Sequence, residues 1–238
     1  MTFNAWDHSI RVNNVLSLGH VVDIVKNPAV PDKDLFIFDT RTDKLIRTVD
    51  SLGTLLYGLD VDSRGRGFIA QADARNDANG LSGTQKHGLE ALENRAFLNQ
   101  ITRVDTADQS FTTRLDLEPL PPEHPDREKA LATPFAVRLN VDESVLFATA
   151  AGSNQLFAMN PDNGDIIGRV TVNAVPRGIA LPEVTANHPS QQAWVLNAVA
   201  NTVSVVNVTD PSNMSVTCLL YTSPSPRDLS TSRMPSSA

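Results

Sequence analysis

One unit of sequence recurs four times in this chain, and that repetition constrains the fold more than any other feature. In each copy a short apolar run ends on Asp or Asn, a turn follows, and a second apolar run begins. The copies begin at Asp34, Asn99, Asn154 and Asn201. Turn-forming residues such as Asn163-Gly164 lie between the two runs, so each copy is predicted to be a β-hairpin.

A second pair of short apolar runs follows each of the first three hairpins, beginning at Leu55, Thr133 and Val175. The repeating order is therefore strand, turn, strand, link, strand, turn, strand. Equivalent positions at the end of the first hairpin strand, Asp39, Asp105, Asn160 and Asn207, lie 66, 55 and 47 residues apart. About four strands per unit is the composition of a β-propeller blade. The sequence thus predicts an all-β chain of antiparallel strands in about four blades.

The apolar pattern within the strands favours sheets that are covered on both faces. Alternating positions are all apolar in Leu35-Phe36-Ile37-Phe38, as expected for strands packed between neighbouring blades. A helical solenoid is the alternative for a repeating chain. It requires apolar residues at helical spacing over about ten or more positions, whereas Gly and Pro recur inside these units.

Several strings carry a resemblance to a known repeat family. NTVSVVNVTD at Asn201, NQLFAMNPDNGDIIGRVTV at Asn154, DLFIFDTRTDKLIRTV at Asp34 and VPRGIAL at Val175 resemble YVTN-type β-propeller repeats, over roughly residues 34–217. The Tyr-Val-Thr-Asn strand of that family appears here as Phe68-Ile69-Ala70-Gln71, Phe147-Ala148-Thr149-Ala150 and Trp194-Val195-Leu196-Asn197. The family's Asp is replaced by Asn160 and Asn207, and the repeat spacing is longer than the family's.

The resemblance implies a soluble propeller, exported to the periplasm or cell surface, that acts as a scaffold or binding module. It also implies that c-type haem motifs follow in long relatives. No Cys-x-x-Cys-His stands in this sequence, so no cofactor is expected in these residues. Met1 opens without the basic start and apolar run of a signal peptide. The expected periplasmic or extracellular localisation therefore rests on the resemblance alone.

Composition limits the expected partners. The chain has 20 Lys and Arg against 27 Asp and Glu, a net charge of −7, without a run of basic residues. That balance argues against nucleic acid or an anionic membrane as the partner. The longest window without charge, residues 184–209, contains six Asn and Gln side chains and makes a poor membrane span. The expected partner is a protein or small molecule on rim loops, which the sequence does not identify.

Residues 218–238 are predicted to be a non-native, disordered tail. They contain six Ser and three Pro without a period, directly after a strand-like segment. Codons can be chosen so that Cys218–Asp228 and Ser232–Ala238 both resemble blocks of a transposase-type sequencing adapter, separated by an index-sized gap. A natural Ser/Pro-rich tail is the alternative. We therefore expect residues 1–217, which contain no Cys and carry a net charge of −8, to be the native part of a longer protein.

Two insertions interrupt the repeats. The first, residues 73–98, is a Gly/Asn-rich loop followed by a predicted short helix over Leu89–Phe97. There His87, Glu90 and Glu93 either seed a metal or acid/base site or lie on a solvated helical flap. The second insertion, residues 117–131, contains four Pro and places His124 among acidic residues. It is predicted to be extended, either as a docking segment or as a stiff loop between strands.

Other patterns add no site. Asp60-x-Asp62-x-Arg64-Gly65 faintly resembles a calcium loop, but Arg64 stands where an oxygen ligand is needed and Gln71 replaces the closing Glu. A hairpin turn is therefore favoured there. His8, His20 and His188 show no ligand spacing. No catalytic, cofactor-binding or metal-binding residue is predicted.

The leading interpretation is a non-catalytic propeller fragment from an exported binding or scaffold protein. The alternative is a fragment of a propeller enzyme, either a haem-linked oxidoreductase or a lactonase-like hydrolase, whose catalytic part lies outside this sequence. Propellers close with about 4 to 8 blades. About four blades with insertions therefore predict an incomplete ring with uncovered blade faces.

Overall fold

The computed structural model describes residues 2–3, 24–25, 33–75, 95–106, 112–182 and 191–221. These residues form antiparallel strands, and the same ranges contain no helix. The strands are β1 Thr2–Phe3, β2 Ile24–Val25, β3 Lys33–Asp39, β4 Lys44–Asp50, β5 Leu55–Val61, β6 Arg66–Ala74, β7 Phe97–Asp105, β8 Thr112–Asp116, β9 Pro134–Leu139, β10 Leu146–Ala150, β11 Gln155–Met159, β12 Ile166–Thr171, β13 Pro176–Ala180, β14 Gln192–Asn197, β15 Thr202–Asn207 and β16 Ser215–Tyr221.

Three of the sheets are four-stranded meanders in which each strand pairs with the next along the chain. They consist of β5 to β8, β9 to β12 and β13 to β16, and we call them the second, third and fourth blades. β3 and β4 form a two-stranded sheet ahead of them, which we call the first blade. β1 and β2 form a separate pair. The meanders confirm the four-stranded unit that the repeats predict.

The four predicted hairpins are the last two strands of each blade: β3–β4, β7–β8, β11–β12 and β15–β16. Side-chain oxygens at equivalent positions hold their turns. Asp39 Oδ1 accepts a hydrogen bond from the backbone N of Arg41 at 2.8 Å. Asn160 and Asn207 accept the same bond, at 2.8 and 3.0 Å, from the residue two positions further on. Asp and Asn can replace one another here because the turn uses only the side-chain oxygen.

The first strands of successive blades contact one another, β5 against β9 and β9 against β13. The approach is close at Gly58, where a Cβ would lie 2.5 Å from the carbonyl oxygen of Phe135 and 2.9 Å from the Cα of Ala136. Both atoms belong to the backbone, which cannot move aside as a side chain can. Position 58 therefore has no room for a side chain.

Apolar cores fill the spaces between consecutive blades. Leu35 and Ile37 of the first blade pack against Ile69 and Val104 of the second. The second and third blades enclose a core that includes Phe68, Ile101, Leu115, Leu146 and Phe157. The third and fourth enclose one that includes Phe147, Leu156, Val195 and Val206. Neighbouring residues of one strand enter different cores, which explains why both alternating positions are apolar.

The faces at the two ends of this series are exposed. The first residue of the Tyr-Val-Thr-Asn-like strand is aromatic in all three four-stranded blades. Phe68 and Phe147 are 0% and 1% exposed because the next blade covers them, whereas Trp194 is 41% exposed. At the other end Phe38 is 54% exposed, whereas its equivalent Val104 is 0%. The described blades thus form an arc with an apolar face at each end, in agreement with the predicted incomplete propeller.

In the second and third blades, a side chain at the start of the third strand tethers the blade to the next one. Asn99 Oδ1 accepts a hydrogen bond from the backbone N of Thr133, and Asn154 Oδ1 accepts one from that of Val175, both at 2.9 Å. Asp34 makes the same kind of link at 2.7 Å. Thr133 and Val175 have φ angles of 54° and 58°, which cost a β-branched residue about 1–3 kcal/mol. The tether holds each residue in this unfavourable conformation.

Two sequence predictions can be compared with the structure only in part, because they extend outside the described residues. The helix predicted over Leu89–Phe97 lies mostly outside the described residues, but Phe97 opens β7, so the predicted end of the helix is wrong. Cys218–Tyr221 of the predicted tail form the end of β16, and residues 222–238 lie outside the described ranges. The strand therefore continues past the predicted boundary, and the origin of the tail stays a prediction. Across the described ranges we find no helix long and apolar enough to cross a membrane.

Candidate functional site

The turns between the first and second strands and between the third and fourth strands lie at the same end of each blade, because consecutive strands are antiparallel. We call this end the rim. Its described turns include residues 62–65 of the second blade, 140–145 and 160–165 of the third, and 208–214 of the fourth. The sequence predicts ligand contacts on loops at one rim of the propeller, and these turns are loops of this kind.

Arg66 occupies the junction between the second and third blades at the rim. Its Nε donates to Asp62 Oδ2 at 2.6 Å, within the second blade. Its Nη1 donates to Asp162 Oδ1 at 2.5 Å, across the junction. The guanidinium carbon also lies 5.5 Å from the ring centroid of Phe68, within cation–π range. Arg66 therefore joins two blades through two carboxylates and one aromatic ring, and the more exposed Arg64 adds a second cation 3.7 Å from Asp162.

The electrostatics of this cluster favour its ionised form. The Asp62 side chain is 0% exposed and that of Arg66 is 16% exposed. Burial raises the pKa of Asp62, but the hydrogen bonds and charge of Arg66 outweigh burial and hold that pKa below its usual value. The hydrogen bond from Arg66 likewise lowers the pKa of Asp162. Both carboxylates are therefore ionised at neutral pH, and the cluster is an ion-pair network that binds blade to blade.

Further charged side chains make contacts across the same junction, and Arg103 is one of them, since its Nη1 donates to the carbonyl oxygen of Asp162 at 2.6 Å. Glu143 accepts hydrogen bonds from Ser63, at 2.6 Å from its backbone N and 2.7 Å from its Oγ. Asp60 Oδ2 accepts one at 2.8 Å from the backbone N of Leu139. The guanidinium of Arg138 lies 3.3 Å from the other oxygen of Asp60. The carboxylates of Glu143 and Asp60 thus hold the second and third blades together.

The turn before β10 in the third blade repeats the bonds of the turn before β6, but without the cation. Asn140 Oδ1 accepts from the backbone N of Val145 at 2.9 Å, and the Asn140 N donates to the Val145 carbonyl at 3.0 Å. Asp62 makes the same two bonds with Arg66, at 2.7 and 3.0 Å. Val145 therefore stands in the third blade where Arg66 stands in the second.

The residue that faces Val145 across the junction between the third and fourth blades is also uncharged. Thr209 corresponds to Asp162, because each donates its backbone N to the Asn two positions earlier, Asn207 or Asn160. The cation and the carboxylate that meet between the second and third blades are thus replaced by Val145 and Thr209 between the third and fourth. Neither is long enough to span the junction.

Among the described residues, the space left at this junction is open. It contains two adjoining cavities of ≈ 200 and ≈ 510 Å³ that share Asn140 and Gln191 in their linings, and we call the two together the rim cleft. Its inner part is lined mainly by apolar groups that include Leu139, Phe147, Leu181 and Val208. Its outer part is lined by Asp142, Ser144, Val145, Thr209 and Pro211. This combination of an apolar floor and a few polar groups is typical of ligand sites.

Negative charge lies at the outer part of the rim cleft. Asp142 Oδ1 accepts hydrogen bonds from the Oγ of Ser144 at 2.7 Å and from its backbone N at 3.3 Å. These bonds hold the pKa of Asp142 below its usual value. Asp210, in the turn across the cleft, has its pKa lowered in the same way by hydrogen bonds from Ser212. Both carboxylates are therefore charged at neutral pH.

Those site residues considered in the sequence that the structure describes do not converge. His8, His20, His87, Glu90, Glu93 and His188 lie outside the described residues. Asp60 and Asp62 of the faint calcium pattern point to different partners, since Asp60 binds the third blade and Asp62 binds Arg66. The segment is a hairpin turn, closed by a bond of 3.0 Å from the Asp62 N to the Arg66 carbonyl. Among the described residues no three His, Cys, Asp or Glu side chains gather as metal ligands.

The insertion at residues 117–131 is a loop fastened to the second blade. Its Glu118 accepts hydrogen bonds from the backbone N of Leu131 at 3.1 Å and from Asn99 Nδ2 at 3.2 Å. Arg95 donates to two backbone carbonyl oxygens of the loop at 2.8 Å each. These bonds give the loop the geometry of a stiff link between strands. A docking role for it stays a prediction.

Sequence reasoning missed both the Arg66 cluster and the rim cleft. A signal was present, because Asn140 and Val145 replace Asp62 and Arg66 at equivalent positions. The third blade's turn is one residue longer between these positions, so a simple alignment of the repeats does not match them. Only the backbone hydrogen bonds of the two turns show the correspondence.

Comparison with known proteins shows the fold. No protein-family model matches the sequence, and no curated protein matches it. Hydrazine synthase from Kuenenia stuttgartiensis is similar in structure, with a TM-score of 0.53 and 14% identity over 71% of this chain and 50% of that one. A nidogen/laminin complex has a TM-score of 0.50 and 12% identity, over 80% of this chain and 56% of that one. A protein from Lactobacillus plantarum has a TM-score of 0.50 and 14% identity, over 84% and 52%.

At such low identities the likeness shows a common fold and does not show a common activity. The chain spans about half the length of the solved structures it matches. Together with the meander blades and the cores between them, the comparisons show that this chain has an all-β fold of the β-propeller type.

Proposed function

We propose that this chain is part of a non-catalytic β-propeller, a binding or scaffold module that takes its ligand in the rim cleft. The observation that carries this proposal is the contrast between two equivalent junctions. Between the second and third blades, Arg66 and two carboxylates fill the rim. Between the third and fourth blades, the same place is an open cleft with an apolar floor and a polar mouth.

The roles of the charged groups support binding rather than catalysis. Asp60, Asp62 and Glu143 are all engaged by hydrogen bonds that hold blades or turns together. The groups that line the mouth of the cleft include the amides of Asn140 and Gln191 and short hydroxyls. Such groups orient a ligand through donors and acceptors, and they do not titrate near neutral pH.

We also propose a repeat family for this chain and a location for its parent protein. The Asx hairpin turns and the aromatic first position of the Tyr-Val-Thr-Asn-like strands support membership of the YVTN-type repeats. An exported, periplasmic or extracellular parent follows from that resemblance, with residues 218–238 as foreign sequence. No observation in the described residues favours the alternative of a lactonase-like or haem-linked enzyme.

A fragment screen tests the proposed site. Ligand-observed NMR with the 238-residue chain should find small fragments whose signals respond to the wild type. Ser144→Trp places an indole in the mouth of the cleft and should abolish their binding. Lys129→Trp is the matched control, because that side chain is 68% exposed in the 117–131 loop, outside the residues that line the cleft.

Two results would count against the proposal. One is a screen in which no fragment binds the wild type. The other is a set of fragments that bind Ser144→Trp and wild type equally. Hydrolysis of a sugar lactone is measured alongside, since turnover by the wild type that Ser144→Trp abolishes would favour the lactonase-like alternative instead.

A further inference from the structure

The first blade has two strands, whereas each of the other three blades has four. Its two strands are the outer pair, because the Asx turn of Asp39 between β3 and β4 matches that of Asn160 between β11 and β12. In the complete blades the third strand also pairs with a second strand, as β7 does with β6 and β11 with β10. Among the described residues, β3 pairs with β4 alone. The first blade thus lacks an inner pair of strands.

The second blade shows where that inner pair belongs. Leu59 of β5 and Val137 of β9 are equivalent, since each lies opposite the second residue of the Tyr-Val-Thr-Asn-like strand, Ile69 or Ala148. Val137 is 3% exposed, because it packs in the core between the second and third blades. Leu59 is 44% exposed. An open slot, which we call the inner slot, therefore lies between the edge of β3 and the face of β5.

The edge of β3 is of the kind that pairs with another strand. The strand is seven residues long, and its middle, Leu35–Phe38, contains neither a charge nor a proline. Its charged residues, Lys33, Asp34 and Asp39, stand at the two ends. Proteins protect edges that remain exposed with charges, prolines or bulges, and a long apolar edge without them recruits a strand. We therefore expect the inner slot to be filled.

From these observations we infer that β1 and β2 dock in the inner slot as the first and second strands of the first blade, with β2 paired to β3. In the structure β1 and β2 lie in a sheet of their own, so their docking against β3 is what the inference adds. The completed blade has the order β1-β2-β3-β4, the same meander as β5 to β8. The inference goes beyond the proposed function and is independent of the rim cleft.

The position of β1 and β2 in the chain makes them the fitting occupant. They are already paired antiparallel, with Thr2 opposite Val25, as first and second strands are in the other blades. Seven residues, 26–32, link β2 to β3, whereas four residues link β10 to β11 and β14 to β15. The link is thus long enough for an antiparallel return, and such a short connection gives a high effective concentration. Ile24 and Val25 are β-branched, which suits a strand between two neighbours.

Hydrogen exchange measured by NMR on the 15N-labelled 238-residue chain tests the inference. Alternate amides of β3 point away from β4, because neighbouring residues of a strand direct their N–H groups to opposite sides. With β2 beside them, these outward amides should exchange at least about tenfold more slowly than unprotected amides. Without a partner strand, they should exchange at the unprotected rate.

Two proline variants identify the occupant. Ile24→Pro removes a backbone N–H from β2 and disturbs its pairing, so the outward amides of β3 should return to fast exchange. Ala29→Pro is the matched control, because it lies in the link between Pro28 and Pro31 and should leave their exchange slow. Amides of the β10–β11 ladder should stay protected in both variants, and their protection distinguishes loss of docking from unfolding.

The inference is overturned if the outward amides of β3 exchange freely in the wild type, or if they stay slow in Ile24→Pro. In the second case, protection that rises with protein concentration would assign the slot to a second copy of the chain. Protection that does not change with concentration would assign it to another segment of the same chain. None of these results affects the rim cleft, which lies between the third and fourth blades.

Discussion

Replacing Arg66 by Val, the residue at the equivalent place in the third blade, should strongly destabilise the protein. The substitution removes the cation from the Asp62 carboxylate, whose side chain is 0% exposed. Breaking a buried ion pair costs about 3–5 kcal/mol. We expect the lower end, about 3 kcal/mol, because Asp62 keeps its backbone bonds and the half-exposed Arg64 remains 3.3 Å away.

A second substitution should recover much of that loss. Asp62→Asn together with Arg66→Val reproduces the pair found in the third blade, where Asn140 and Val145 make the same backbone bonds without any charge. The buried carboxylate is then gone, and its desolvation no longer opposes folding. The double variant should therefore be more stable than Arg66→Val alone, by about 1–2 kcal/mol.

The effect should also depend on pH. The folded pKa of Asp62 is lowered, so its pairing with Arg66 stabilises the protein above the unfolded pKa of about 3.9. This contribution is lost as the pH falls through the folded pKa. The difference in unfolding free energy between wild type and Arg66→Val should accordingly be full at neutral pH and shrink below about pH 4.

Urea unfolding followed by circular dichroism measures these differences, and thermal unfolding should show a fall in Tm of about 6–12 °C for Arg66→Val. The reasoning is refuted if Arg66→Val costs less than about 1 kcal/mol, or if the double variant is no more stable than the single one. Either result would mean that the Asp62 carboxylate does not depend on the cation.

Three further predictions concern single side chains. Gly58→Ala should lower the unfolding free energy by about 2 kcal/mol or more, since its Cβ meets backbone atoms. Gly67→Ala is the control, because the nearest contact of its Cβ is a side chain at 3.5 Å. Equal losses of unfolding free energy in urea would contradict the close approach at Gly58. Asn154→Ala should cost about 1–2 kcal/mol because it breaks the tether and also places Ala at a φ of 55°. Asn154→Asp keeps the side-chain oxygen and should cost less, and equal costs for the two would contradict the role of that oxygen. We expect the uncovered blade faces to make residues 1–221, which end where β16 ends, aggregate on size-exclusion chromatography. Trp194→Ser should reduce that aggregation without lowering Tm, whereas Phe147→Ser at the equivalent, covered position should unfold the protein. A compact, heat-resistant monomer of the unsubstituted 1–221 chain would refute the expectation.

The blade unit could be predicted from sequence because its determinants are local. Apolar alternation sets each strand, and an Asx side chain such as Asn160 sets each hairpin turn through a bond to the residue two positions later. These contacts span a few residues, so the repeat shows them directly. The predicted end of the helix, at Phe97, is wrong for the opposite reason. Pairing of Ala74 with Phe97 extends the β6–β7 hairpin, and this pairing overrides local helix propensity.

The candidate site could not be predicted, because it depends on contacts between residues far apart in sequence. Arg66 and Asp162 are separated by 96 positions, and the sequence of neither turn indicates a contact with the other. The rim cleft is harder still, since it arises where Val145 and Thr209 fail to make that pair. A missing contact between two ordinary residues has no pattern of its own in a single sequence.

The tether formed by Asn99 and repeated by Asn154 has a consequence for how such chains change in evolution. Each bond reaches only from one blade to the next, and both ends of the bond fall at equivalent points of the repeat. A gene duplication or deletion that begins at one such Asn and stops at the next therefore carries four strands, the last two of one blade and the first two of the next, and changes the number of blades by one. The number of blades can change in this way one at a time, while the tethers between the remaining blades keep equivalent partners.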